Sequence, residues 1–216
     1  NPDTGSRIRT MISAAIIKRD NGKAVRIARY NPNKKWVGRS LADIATSEDR
    51  PAVEIAEEIM RGGGASVVNF SMSEDDVRHI MAIDWVATAS DGRAYLPGSD
   101  RPHPRNYGTF PRKLAYYSVQ EQVLSLEAAV RSMTSLPASI LRMTDRGLIR
   151  EGLAADITVF SVNALKDRAT FDNPHQYATG IQHVFVNGTP VVHDGKVTGA
   201  LPGKALRFEG GESRSR

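Results

Sequence analysis

Residues 65–92, ASVVNFSMSEDDVRHIMAIDWVATASDG, decide the fold of this chain. The stretch begins with an apolar run, 65–70, which predicts a buried strand. Ser73 and Asp76 are spaced as a capping pair, which predicts a helix after that strand. A second apolar run, 84–90, predicts another strand. A strand, a helix and a strand with short connections are typical of a parallel sheet with crossover helices, so we expect an α/β fold.

The segments on either side alternate helices with strands at first and become rich in β structure later. Capping residues and apolar spacing predict helices near 3–18, 51–61 and 126–133 and from 137, with a short capped turn at 41–45. Strands are predicted near 24–30, 157–160, 184–186 and 191–192. Asn187-Gly188 and Asp194-Gly195 are strong signals for β-hairpins. Residues 91–112 contain four prolines and three glycines and predict a long irregular loop, which in a compact domain is often functional.

The composition is that of an ordinary globular protein and excludes several other kinds. The 216 residues include 40% hydrophobic and 25% charged side chains, which allows a sizeable core. No stretch has the roughly 20 apolar residues that cross a bilayer. The net charge of +5 is dispersed among acids rather than gathered with aromatics, so we expect no nucleic-acid partner. Cysteine is absent, which excludes disulfides and thiolate metal ligands in this chain and fits a reducing, cytoplasmic location.

Asp91 is the first candidate for chemistry, because the predicted strand 84–90 ends on it and Gly92 allows a sharp exit. In parallel α/β barrels the chemical groups lie at the C-terminal ends of the strands. A carboxylate at such a position can bind a cation or transfer a proton. A strand followed by Asp-Gly is also an ordinary turn, and the pattern by itself favours the turn.

Several motifs occur in a fixed order from Asp91 onward. They are Ser90-Asp-Gly92, His103-Pro-Arg-Asn-Tyr-Gly-Thr-Phe-Pro-Arg112, Leu126-Glu-Ala-Ala-Val-Arg-Ser-Met-Thr-Ser-Leu-Pro137, Asp145-Arg-Gly-Leu148, Gly152-Leu-Ala-Ala-Asp-Ile157, Ala169-Thr-Phe-Asp-Asn-Pro-His-Gln-Tyr177, Val186-Asn-Gly188 and Thr198-Gly-Ala-Leu-Pro-Gly-Lys204. Together they resemble the N-acyl-D-amino-acid deacylases, or D-aminoacylases, of the metal-dependent amidohydrolase superfamily. The resemblance extends from about Ser40 to Arg207, and it is specific because many independent motifs agree.

The resemblance implies a fold and a division of the chain. Members of the family have a (β/α)8 TIM barrel and a small β-sandwich domain that takes strands from both ends of the chain. This sequence resembles the C-terminal half, so we expect the C-terminal part of the barrel at 1–146, with an inserted segment near 20–50. We expect strands of the small β domain at 147–208 and a disordered tail at 209–216.

The resemblance also implies an activity, the hydrolysis of the amide bond of N-acyl-D-amino acids to a D-amino acid and a carboxylate. In the family, one or two zinc ions at the mouth of the barrel lower the pKa of a bound water and polarise the acyl carbonyl. Asp91 matches the carboxylate at the end of the last barrel strand. As general base, Asp91 would accept the proton of the water, and as general acid it would deliver that proton to the leaving amine. Asp91 would also be a metal ligand.

The other metal ligands of the family are absent from this sequence. The resemblance implies a His-x-His pair, a thiol and two further histidines, all earlier in the family's chain, and catalytic zinc needs about three protein ligands. We therefore expect most ligands on an N-terminal half carried by a second chain, and the start at Asn1 without Met suggests processing or truncation. Outside the His103 motif, the remaining histidines and one acid are interpreted as surface or structural residues: His79, His175, His183, His193 and Asp156.

Four residues are candidates for binding the substrate: Ser40, His103, Arg105 and Tyr107. The guanidinium of Arg105 can hold a substrate carboxylate with two hydrogen bonds, and His103 can hydrogen-bond the substrate or orient the loop. Structural alternatives remain open, because the segment from His103 to Arg105 could simply stabilise its loop and Ser40 could be an ordinary helix N-cap. Further cations that could serve an acidic substrate side chain are Arg112 and Lys35.

Three other functions remain to be compared with the deacylase. A cyclic amidase of the dihydroorotase or hydantoinase type would share the barrel and the metal, although the 103–112 segment favours the deacylase. The chain could also be a non-catalytic fragment or a scaffolding subunit, against which the retained Asp91 argues. A nucleic-acid module would require a cluster of aromatic and basic residues, and the sequence has none.

Overall fold

A computed structural model of the chain describes residues 2–94 and 96–207. Its contacts divide the chain into two compact units that interleave along the sequence. The first consists of Asn1–Glu74, Asp91–Tyr107 and Ala169–Gln176, and the second of Asp75–Ser90, Gly108–Arg168 and Tyr177–Arg216. The division into the C-terminal part of a barrel at 1–146 and strands of a small β domain at 147–208 stays a prediction, while the tail at 209–216 lies outside the described residues.

The first unit combines three helices with a two-stranded sheet. Its regular elements are α1 (Pro2–Ile17), β1 (Val25–Arg29), α2 (Leu41–Ser47), α3 (Ala52–Arg61) and β2 (Ser66–Asn69), with short 3₁₀ turns at Asp20–Gly22 and Lys34–Trp36. The helices α1 and α3 begin and end close to their predicted positions. The turn predicted at 41–45 is the helix α2, which starts with a capping box made by Ser40 and Asp43. The local signals for α1, α3, β1 and β2 are therefore confirmed, but β2 is not the buried strand that was predicted, because of its four residues only Val68 is buried.

Apolar side chains from β1, α2, α3 and the turn before α2 form the core of the first unit. Four of them are at most 1% exposed: Ile27, Trp36, Ile44 and Ile55. The ring of Trp36 stacks on Tyr30 with a centroid distance of 5.4 Å. The indole N–H donates to the carboxylate of Glu48, so the polar edge of the largest core side chain has a partner.

The described chain does not form the parallel strand pairing that residues 65–90 predict. β1 and β2 pair antiparallel, with Ile27 opposite Val67, and residues 84–90 form no strand in the described chain. The backbone N–H of Thr88 donates instead to the carbonyl of Ser132, at 2.8 Å. A strand exists only where a neighbouring strand accepts and donates hydrogen bonds, and an apolar run cannot supply that neighbour.

The rest of the chain contains helices followed by an antiparallel sheet. The helices are α4 (Glu74–Met81), α5 (Arg105–Arg112), a π-helix (Lys113–Gln120), α6 (Leu126–Met133) and α7 (Ser135–Ile140). The strands β3 (Ile157–Phe160), β4 (Ile181–Val186), β5 (Thr189–His193) and β6 (Lys196–Val197) pair in that order. Leu114, Ala129 and Leu165 form the core of the second unit. None of the described helices is long and apolar enough to cross a membrane.

The structure confirms both predicted hairpins and corrects the loop before them. Asn187 and Asp194 each have φ of 48°, the left-handed conformation that tight hairpin turns require. Residues 91–112 were expected to be irregular throughout, but α5 begins at Arg105. Pro104 lies just before this helix, where the missing N–H of a proline costs no helical hydrogen bond.

Gly180 occupies a position that only glycine fits. Its φ is +85°, and an added Cβ would lie 2.5 Å from the backbone of Ala164 and Leu165. Gly199 has nearly the same φ, +83°, but has nothing within 4 Å of the Cβ position. We expect Gly199→Ala to lower the free energy of unfolding by about 1 kcal/mol through backbone strain, and Gly180→Ala by about 1–3 kcal/mol more through the clash. Urea unfolding measures both, and equal losses would contradict the close contact.

Candidate active site

Asp91 opens the loop of the first unit that carries most candidate site residues. Its φ is +47°, which lies in the left-handed region that short polar residues adopt in turns. Gly92 follows it, as the predicted sharp exit requires. The side chain of Asp91 is 83% exposed, so its carboxylate is accessible to a ligand.

The structure brings Arg105 to Asp91. Nη2 of Arg105 lies 2.6 Å from Oδ2 of Asp91, and the arginine side chain is 42% exposed. Such an exposed ion pair contributes only about 0–1 kcal/mol to stability. The guanidinium can therefore exchange the Asp91 carboxylate for another carboxylate at small cost to the fold.

His103 lies beside this pair and shapes the start of α5. Its Nδ1 accepts the backbone N–H of Arg105 at 3.0 Å, and its ring meets the ring of Phe171 edge-on at 4.9 Å. Burial, and then the charge of Arg105, lower the pKa of His103 below its ordinary value of 6.5, while Asp91 acts in the opposite direction. In the neutral ring with an accepting Nδ1, the proton is on Nε2.

Tyr107 is half-buried and contacts a residue outside the predicted site. Its hydroxyl lies 3.0 Å from Nδ1 of His175, and the two rings meet edge-on with centroids 5.6 Å apart. His175 was interpreted as a structural or surface histidine. The sequence signal that could have joined the two residues is that each stands in one of the motifs that resemble the deacylases.

Ser40 is built into the N-terminus of α2. Its hydroxyl accepts the backbone N–H of Asp43 at 3.0 Å, and the Asp43 carboxylate accepts the N–H of Ser40 at 3.3 Å. The hydrogen bond from the Ser40 side chain lowers the pKa of Asp43. Ser40 is only 7% exposed, so its hydroxyl is engaged as a helix cap, and its role in substrate binding stays a prediction.

The two additional cations occupy different surroundings. The guanidinium of Arg112 lies 4.6 Å from the ring centroid of Tyr116 and 3.8 Å from the Asp167 carboxylate. Lys35 is exposed in the 3₁₀ turn before α2. Arg112 is thus held by an aromatic face and an acid, and a role for either cation in substrate binding stays a prediction.

Asp91 can serve as one metal ligand but cannot hold a catalytic zinc alone. Within residues 2–94 and 96–207, one group of three side chains has donor atoms within 4.8 Å of each other: His183, His193 and Asp194. There the N–H of Asp194 donates to Nδ1 of His183 at 3.4 Å, which leaves the proton of the neutral ring on Nε2. That Nε2 lies 3.7 Å from the Asp194 carboxylate, beyond hydrogen-bond distance, so the hydrogen bond of His183 within the cluster is the one from the Asp194 backbone.

Comparison with known proteins relates the chain to a group of hydrolases. A model of the "Amidohydrolase family" matches residues 15–192. An N-acyl-D-glutamate deacylase from Alcaligenes xylosoxydans xylosoxydans is 38% identical over 183 residues, which is 85% of this chain and 36% of that protein. A structure of D-aminoacylase, described with a binuclear metal center, is 37% identical with a TM-score of 0.73 and covers 82% of this chain and 36% of its own.

A second solved structure carries a ligand that reports on its chemistry. The N-acyl-D-glutamate deacylase from Bordetella bronchiseptica, complexed with zinc and a phosphonate that mimics the tetrahedral intermediate, is 35% identical with a TM-score of 0.72 and covers 83% of this chain and 38% of its own. These matches confirm the expected α/β class, the C-terminal part of a TIM barrel with strands of a small β domain. The chain spans little more than a third of these relatives.

The environment of His103 predicts how its ring titrates. We expect the titration midpoint of His103 to lie below 6.5 in the folded chain. It should be higher in Arg105→Ala, because the charge of Arg105 opposes protonation of the ring, and lower in Asp91→Asn, because the charge of Asp91 favours it. The unfolded chain takes up this proton more readily, so His103 makes stability fall as the pH drops below 6.5. An NMR titration of the ring protons measures each midpoint, and shifts of the opposite sign would contradict this description.

Proposed function

Because the chain belongs to the amidohydrolase family, we propose that the whole protein that contains it hydrolyses the amide bond of N-acyl-D-amino acids. One observation carries the proposal. Asp91 and Arg105, a group able to transfer a proton and a group able to bind a carboxylate, lie 2.6 Å apart on one accessible loop. The deacylases that the chain resembles act on substrates with both an amide to hydrolyse and a carboxylate to bind.

We propose zinc, as one or two ions, for the cofactor. Asp91 is the ligand that this chain contributes, and the carboxylate oxygens it exposes suit such an ion. The other ligands come from the N-terminal half of the family's fold, carried either by the same polypeptide or by a second chain. Zinc, when bound, supplies an activated water and polarises the acyl carbonyl.

Asp91 transfers the proton in this proposal. Its ionised carboxylate accepts a proton from the attacking water as the oxygen bonds to the acyl carbon. It then gives that proton to the amide nitrogen as the carbon–nitrogen bond breaks, which releases the amine of the D-amino acid and the carboxylic acid of the acyl group. Because its side chain is 83% exposed, Asp91 can approach both the water and the leaving nitrogen.

Arg105 binds the substrate by exchanging partners. In the chain as described, its guanidinium holds the carboxylate of Asp91. The α-carboxylate of a substrate offers the same charge with two oxygens in the plane of the guanidinium, which favours a bidentate contact. The exchange would release Asp91 for proton transfer at the moment when the substrate is in place. His103 orients this arginine through the backbone N–H of Arg105.

Asp91→Asn tests the proton transfer. Asparagine keeps the shape and removes the basic group, so we expect kcat to fall by roughly 10²- to 10⁴-fold with a small change in KM. Asp156→Asn is the matched control, because Asp156 accepts hydrogen bonds from Arg146 and the backbone of Asn187 and should affect Tm rather than kcat. Steady-state kinetics of the zinc-loaded whole protein measures both, and an active Asp91→Asn enzyme would remove the assignment.

Arg105→Lys tests the substrate contact. Lysine keeps the charge but cannot make the two parallel hydrogen bonds, so we expect KM for an N-acyl-D-amino acid to rise roughly tenfold or more while kcat changes less. Arg93→Lys in the same loop is the control, because Arg93 is exposed and its described contact is a backbone N–H to the Asn106 side chain. Equal effects of the two substitutions would contradict the role of Arg105.

Substrate and subunit composition are tested separately. Turnover of linear N-acyl-D-amino acids without turnover of cyclic amides distinguishes the deacylase from a dihydroorotase-like or hydantoinase-like enzyme, and turnover of neither favours a non-catalytic role.

Native mass spectrometry shows whether a second chain with zinc accompanies this one. A cytoplasmic location also stays a prediction, which cell fractionation would test.

A further inference from the structure

His175 has both ring nitrogens engaged by the loop that carries Arg105. Nε2 lies 2.9 Å from the backbone carbonyl oxygen of Asp100, and Nδ1 lies 3.0 Å from the hydroxyl of Tyr107. Asp100 precedes Arg105 in the chain and Tyr107 follows it. One imidazole therefore holds the loop on both sides of the arginine.

The chemistry of these contacts assigns the donors. A backbone carbonyl only accepts hydrogen bonds, so Nε2 of His175 carries the proton and donates it to Asp100. In the neutral ring Nδ1 then accepts, and the Tyr107 hydroxyl donates to it. Both hydrogen bonds are satisfied at the same time by one tautomer, as expected of a residue that fixes a geometry.

The residues just before His175 contact the same loop at two more points. The ring of Phe171 meets the ring of His103, and the backbone carbonyl of Asp172 accepts a hydrogen bond from the Arg101 guanidinium at 2.5 Å. The carboxylate of Asp172 pairs with Arg26 of β1 at 2.7 Å. Segment 171–175 is thus attached to the sheet on one side and to the loop on the other.

We propose that His175 is a positioning residue for the candidate active site. It holds the loop between Asp100 and Tyr107 so that Arg105 stands where a substrate carboxylate binds. This inference rests on the proposed function for its effect on the substrate, but the effect on the loop itself follows from the contacts alone. His175 acts through Tyr107 and the backbone, and it touches no reacting atom.

Two measurements on the whole protein test the proposal. His175→Leu removes both hydrogen bonds, and we expect amide hydrogen exchange of peptides from residues 96–107 to quicken and KM to rise, each by roughly five- to tenfold, with a smaller change in kcat. His175→Gln retains one acceptor and one donor and should recover much of both effects. His193→Leu is the matched control, because His193 lies exposed on the β5 hairpin and should change neither.

A double substitution tests the coupling. Tyr107→Phe removes the hydroxyl that donates a hydrogen bond to His175. The effects of Tyr107→Phe and His175→Leu on KM and on amide hydrogen exchange should therefore be clearly less than additive. Fully additive effects, or exchange in 96–107 that matches the His193→Leu control, would overturn the proposal. If the wild-type protein hydrolyses no N-acyl-D-amino acid, the proposed function fails, and the exchange measurement still decides whether His175 holds the loop.

Discussion

Arg101 attaches the loop that carries Arg105 to the rest of the first unit, because it contacts three other segments of that unit. Its backbone N–H donates to the carbonyl of Ala28 in β1 at 2.9 Å, and its guanidinium donates to the carbonyl of Asp172. Its stem passes so close to Gly38 that a Cβ there would lie 2.6 Å from Arg101 Cδ. A loop without regular structure must find partners for its polar groups elsewhere, and here a strand and a distant segment provide them.

The site combines a rigid support with weakly held charges. Ile27 and Trp36 are buried in the core beneath β1 and the turn before α2, and they fix the sheet to which the loop is attached. The ion pair between Asp91 and Arg105 is exposed and costs little to break. The partner exchange proposed for Arg105 requires this combination, because the backbone has to stay in place while the charges change partners.

Much of the fold follows from local signals. The caps of α2 and α6 at Ser40 and Ser125 and the hairpin turns at Asn187 and Asp194 were predictable, because each depends on residues within a few positions. Asp91, His103, Arg105 and Tyr107 were predictable as candidates because their motifs resemble one family. The apolar run at 84–90 predicts a strand that the described chain does not form, since nothing local tells whether a neighbouring strand is available.

The sequence by itself determined the family and the helices and turns with local caps, and it predicted Asp91 as the residue for chemistry. Only the tertiary structure decided that Arg105 pairs with Asp91. It also decided that His175 accepts a hydrogen bond from the hydroxyl of Tyr107, which lies 68 positions earlier in the chain. Motifs record which residue types are needed, whereas contacts between distant segments depend on how the chain packs. A histidine that looks structural from its neighbours in sequence can therefore contact the loop that carries the candidate site residues.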